Sequence, residues 1–326
     1  MKERQFVHER REEWEAWDRW LADRRRRGDA RDPLLAPETL PRRFRSLCQD
    51  LSLARDRRYS GPLLDELHTR VLAAHQRIYG ARRGGGGALL RFLLHGLPAR
   101  VRAEARVVLA AALLFFVPLV AVLVLLQFQP EGVYFLVSPE SVGSYEEMYA
   151  PDSRHLGRPR GAEDNVAALG FYIANNVRID FQCFAGGMLF GLGSIFYLVY
   201  NGLVIGAVAG HLTHVGYIET FWGFVAGHSS LELIGAVLSG AAGLKIGLAL
   251  VAPGRLRRAD ALLLAGREAA YLIYGAALLT FGAAFVEAFW SPLRAIPVEI
   301  KYGVGVAGWI ALLAYLAFAG RGRRGA

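Results

Sequence analysis

Residues 107–128 form a run of 22 with no charged side chain, and no other feature restricts the fold of this chain as strongly. At about 1.5 Å of rise per residue, such a run crosses the roughly 30 Å of hydrocarbon in a bilayer. Inside lipid every backbone amide must be paired within the protein, so a lone apolar span of this length has to be a helix. Apolar stretches recur at 181–200, 203–218, 228–251, 268–290 and about 302–319. The expected fold class is an all-α polytopic membrane protein with about six transmembrane or re-entrant segments and an N-terminal cytoplasmic helical domain.

Charge is segregated accordingly. Residues 1–106 hold 24 Lys/Arg and 15 Asp/Glu, a balance of +9, whereas the remaining 220 hold 14 of each. Basic residues beside membrane spans follow the positive-inside rule, so no nucleic-acid partner is expected. Met1-Lys2-Glu3-Arg4 opens without an apolar h-region, and no cleavable leader is expected. Cys48 and Cys183 lie in regions of different character and are expected as two reduced thiols.

The basic third reads as helical. Phe6, Arg10, Trp14, Trp17 and Leu21 recur at helical spacing up to Gly28 and Pro33. A second helix runs from about 38 to 59, and a third starts at Gly61-Pro62 and ends near Gly80. Residues 1–81 are thus expected to form a cytoplasmic basic helical domain. Residues 82–106 hold Arg82-Arg83, a Gly run at 84–87 and a Leu-rich stretch. They are expected as a hinge and an interfacial helix ended by Pro98. After the span at 107–128, residues 129–180 carry eight Asp/Glu against four Lys/Arg and read as an exterior loop whose second half is amphipathic.

Residues 181–320 read as a Gly-rich membrane bundle and 321–326 as a cytoplasmic tail. Arg255, Arg257, Arg258 and Arg267 fall in one loop, and Arg321, Arg323 and Arg324 after the last span. With both groups inside, six crossings place both termini in the cytoplasm. Asn201-Gly202 separates two apolar stretches and is expected either to join two spans or to turn within a re-entrant hairpin.

Polar side chains at membrane depth are costly and mark cavities, helix contacts or pathways. His211, His228, Glu232 and Glu287 are the candidates for a buried cluster towards the outer side. His228 and Glu232 are four apart and share a helix face. Three readings stay open: a hydrogen-bonded structural pair, an ion or proton path, or a metal site. No cofactor is expected, with a bound cation such as zinc as the alternative. Gly186, Gly202 and Gly206 belong to small-residue rows that let helices approach closely, within one chain or across an expected homodimer. The sequence holds no Walker loop, dinucleotide-binding glycine fingerprint, nucleophile elbow or metalloprotease helix.

These residues together resemble the stage II sporulation protein M family. The likeness runs from Phe6, Arg10, Trp14 and Leu21 through Asn175-Asn176, Gly186, Asn201-Gly202, Gly206 and His211. It continues with Gly227-His228-x-x-x-Glu232, Pro253, Glu287 and Ser291-Pro292. Where the family commonly has Pro before His-Gly, this chain has Ala226-Gly227 before His228 and Ser229 after it. The namesake in spore formers is a membrane scaffold that holds peptidoglycan hydrolases. The resemblance therefore implies a non-enzymatic scaffold or assembly factor of the bacterial inner membrane, with envelope or cytoplasmic protein partners. The alternative is a transporter or channel that uses the His/Glu cluster.

Overall fold

The computed structural model describes residues 2–22, 39–79, 86–153, 156–157 and 165–321. The expected helix end at Gly28 and Pro33, the Arg82-Arg83 stretch with Gly84 and Gly85, and Arg323 and Arg324 lie outside the described residues. The chain divides into two compact units, 1–86 and 87–326. Among the described residues both are helical, with no strand.

The first unit holds α1 (Glu3–Ala22), α2 (Leu40–Asp56) and α3 (Gly61–Tyr79). Their apolar faces meet in one core of Phe6, Trp14, Trp17, Trp20, Phe44, Leu47, Leu51 and Leu67. The tryptophan row of α1 is thus used for packing within the unit. Trp14 donates its indole N–H to the buried Asp50 carboxylate at 3.0 Å, and Arg10 pairs with the same carboxylate at 3.2 Å. Burial pushes the Asp50 carboxyl above its ordinary value, while the Trp14 hydrogen bond and the Arg10 charge pull it back. Arg70 clamps Asp18 with two hydrogen bonds of 2.9 Å, tying α3 to α1.

Helix α4 (Gly86–Arg91) begins at the boundary residue, and the second unit continues with a π-helical turn (Phe92–Gly96) and α5 (Leu97–Ala103). Pro98 does not end this segment. It sits in the first turn of α5, where a missing N–H costs nothing. Leu89, Leu90 and Leu94 stay exposed, but Leu97 is fully buried, filling the space that Gly275 leaves. Tyr315 donates its hydroxyl to the Leu93 carbonyl, and Arg102 donates to Leu316 O at 3.0 Å. The segment is therefore anchored to the bundle through one face.

Then follow α6 (Ala105–Leu125), α7 (Pro139–Tyr149), α8 (Asn165–Ala185), α9 (Leu192–His214), α10 (Ile218–Val251), α11 (Arg258–Phe289) and α12 (Val298–Phe318). Five of these, α6 and α9 to α12, are long and apolar enough to cross a membrane. At 21 residues α8 has the length, about 31 Å, but carries Asn175, Asn176, Arg178 and Asp180.

The reversal between the second and third segments does not fall at Asn201-Gly202. It falls at residues 186–191, where Gly186 and Gly187 form a 3-10 turn and Gly191 takes a positive φ of 86°. The physical reason is contact with α10: a Cβ on Gly187 would collide with the backbone of Gly243, and one on Gly247 with that of Gly191. Only glycine lets a tight turn sit on another helix at that distance. Asn201 stays inside α9, its amide donating back to Tyr197 O at 2.7 Å. Gly202, Gly206 and Gly210 meet Phe115, Leu119 and Leu123 of α6, so this glycine row is occupied within the subunit.

The registers give helix directions. Gly186 and Gly193 touch each other, while Gly187 and Gly247 meet Gly243 and Gly191. Gly235 meets Thr280, and Gly305 meets Ala226 with Gly308 against Ser230. Chain directions follow: α8, α10 and α12 run one way and α6, α9 and α11 the other. At one end Lys245 pairs with Glu104 at 2.7 Å and Glu268 at 2.8 Å, and Arg100 reaches Glu268 at 3.2 Å. A lysine held near lipid needs such partners.

A candidate site at a cavity in the helical bundle

The site is assembled around one face of α10. Helical periodicity puts His228 and Glu232 one turn apart, with Nε2 of His228 3.6 Å from Oε2 of Glu232. Near the end of α11, Glu287 joins them. Each of the three offers a ligand-type atom, and these atoms lie within 4.8 Å of one another. His228 is 3% exposed and its Nδ1 lies 3.0 Å from the hydroxyl of Ser291, which is fully buried.

Local sequence explains why Ser291 arrives there. The chain turns after Phe289, and the Trp290 ring lies over Gly227, where a Cβ would strike the indole. Gly227 thereby admits Trp290 and lets the next residue reach His228. Buried Lys301 of α12 donates to Ser291 O at 2.8 Å and fixes the turn. Gly227, His228 and Ser291 thus act as one unit. The neighbouring Ser229 accepts the indole N–H of Trp309 at 3.1 Å, joining α10 to α12.

His228, Glu232 and Glu287 line a cavity of about 260 Å³. Tyr145 and Tyr149 of α7 line it too, with Trp222 and Phe224 of α10. Burial pushes the Tyr149 phenol well above its ordinary value, and the Glu287 charge adds to this, so Tyr149 keeps its proton. Helix α7 is held over α9 and α10 by two contacts: His211 Nε2 lies 2.7 Å from Glu146 Oε1, and Thr220 donates to Tyr149 O at 2.6 Å. His211 thus holds Glu146 and stands outside the His228–Glu232–Glu287 group.

Glu232 also borders a second space of about 20 Å³, room for one water, lined by Asn176, Asp180 and Thr280. Thr280 donates its hydroxyl to Asp180 at 2.5 Å. Asn175 donates to Asn176 and accepts from Arg178 along α8. Asp180 escapes a sequence reading that ends the exterior loop at residue 180. Its one signal is a lone carboxylate at the edge of an apolar run. Tyr145 and Tyr149 carry no signal, being aromatic residues in a polar stretch.

Fold and site together define an integral, multi-pass α-helical membrane protein with a largely apolar cavity that carries a His/Glu group on its wall. The chain belongs to the family described as Stage II sporulation protein M, whose model matches residues 106–292. Residues 4–80 match a separate domain of unknown function (DUF8413), so the N-terminal part of the resemblance belongs to a different module. No curated protein and no solved structure matches the chain.

Proposed function

We propose that this chain is a protein of the bacterial cytoplasmic membrane, with both termini in the cytoplasm, that works without catalysis as a scaffold or assembly factor of the cell envelope. The observation behind this reading is the central place of α10, which packs against α6, α8, α9, α11 and α12 alike. Alternating access needs one group of helices to rock against another. Glycine-mediated backbone contacts on several sides of a single helix favour a rigid frame instead. Orientation rests on Arg255, Arg257, Arg258 and Arg267. Cysteines introduced at Ser153 and Ala259 are expected to label from opposite sides, and same-side labelling would remove this topology. A homodimer is the proposed assembly, and single chains in nanodiscs would refute it.

The cavity favours a second reading, passage or binding of a small solute or ion. Complementation of a deletion strain separates the two. A scaffold retains function with Glu232→Gln. A carrier loses it while remaining folded and assembled, and proteoliposomes then show a cation flux that Glu232→Gln abolishes.

A further inference from the structure

His228, Glu232 and Glu287 supply one imidazole nitrogen and two carboxylates from two helices, within 4.8 Å. Four-coordinate zinc holds its ligands at about 2.1 Å, which sets neighbouring ligand atoms about 3.4 Å apart. The His228–Glu232 edge, 3.6 Å, is already near that length. The other edges must shorten by at most about 1.4 Å, within the swing of a glutamate χ3 torsion.

The histidine points the same way. When Nδ1–H is donated to Ser291 Oγ, Nε2 keeps its lone pair and turns it on Glu232. At 3.6 Å the two are too far apart to share a hydrogen bond. An imidazole lone pair facing a carboxylate, with its other nitrogen held by a buried hydroxyl, is how ligands are oriented around a cation. His228 is almost fully buried yet lines the cavity, so an ion entering that space reaches it. The cavity in front leaves a fourth position for water or for an oxygen of a solute.

We propose that His228, Glu232 and Glu287 form a binding site for a divalent first-row transition-metal ion, which ties α10 to α11 and closes one wall of the cavity. The mixed nitrogen and oxygen donor set suits zinc and its neighbours rather than copper(I), which prefers sulfur. Such a site is compatible with a scaffold and a carrier alike.

The test uses the full-length, tag-free chain in nanodiscs, stripped with chelator and titrated with zinc chloride against a chromophoric competitor. One zinc per chain is expected. Glu287→Gln should weaken binding about 100-fold or more, and Ser291→Ala, which keeps all three ligands, about 10–100-fold. His211→Ala should leave affinity unchanged. Zinc well below one per chain, or equal affinity in the unaltered protein and Glu287→Gln, would overturn the site. Should a variant fail to fold, cobalt(II) in the unaltered chain decides: intense four-coordinate visible bands support the site, and their absence refutes it.

Discussion

The two units solve the packing problem by opposite means. In the first, α1, α2 and α3 fill the space between them with side chains, chiefly Phe6, Trp14, Trp17, Trp20 and Phe44. In the second, α8, α9 and α10 remove side chains from their contacts, so that Gly186, Gly187, Gly243 and Gly247 bring backbone against backbone. The solvents explain the contrast. Water rewards burial of large apolar area, at about 25 cal/mol per Å². Lipid gives no such reward, because its tails are as apolar as leucine, and only close approach gains dispersion and polar contact. Deleting bulk should therefore damage the first unit, and adding bulk the second.

The largest effect expected from this contrast is Gly187→Leu. Its side chain must displace the Gly243 backbone, and a loss of about 5 kcal/mol or more is expected, read as failure to give a monodisperse particle in mild detergent. A monodisperse, thermally unchanged variant would show that the close backbone contact at Gly187 does not hold this unit together. In the first unit Trp17→Ala should cost about 3–5 kcal/mol through lost burial and a cavity. Hydrogen exchange should report the loss in α1–α3.

Smaller again is Asp50→Ala, which strands the buried Trp14 indole N–H and should cost about 1–3 kcal/mol. Asp50→Asn tests the pH side. Because burial raises the folded carboxyl, its contribution is full below the unfolded value near 3.8 and is lost as pH rises through the folded one. The stability of Asp50→Asn relative to the unaltered chain should therefore increase as pH rises above about 4 and level off beyond the folded carboxyl's own titration. A flat difference, measured by hydrogen exchange corrected for intrinsic rates, would contradict the assignment. The smallest effect belongs to Gly266→Ala and Gly303→Ala, helical glycines whose added Cβ meets open space. Each should gain about 0.5–1 kcal/mol in detergent unfolding, unlike Gly187 and its partners.

Much of this was legible in the sequence, because periodicity is a local signal. The apolar faces of α1 to α3 and the spans α6 and α10 to α12 follow from residue spacing alone. The reversal between α8 and α9 was not legible. Asn201-Gly202 looks like a junction because both residues favour turns, yet Asn201 bonds back along its own helix and Gly202 receives α6. The true turn hides among apolar residues as Gly186-Gly187, and its reason lies on α10, more than fifty residues away. For the site, the i,i+4 pair His228 and Glu232 was readable, whereas His211 and Asp180 depended on tertiary partners, Glu146 and Thr280.

The polar character of α8 bears on biogenesis. An aspartate or arginine at mid-span opposes insertion by about 2.5–3.5 kcal/mol, and α8 carries Arg178 and Asp180 beside two asparagines. The Thr280 hydroxyl that receives Asp180 is made 100 residues later. Stable placement of α8 in the bundle is therefore expected to need a chain long enough to include α11, so that truncation before residue 258 should leave the least apolar helix of the unit unseated.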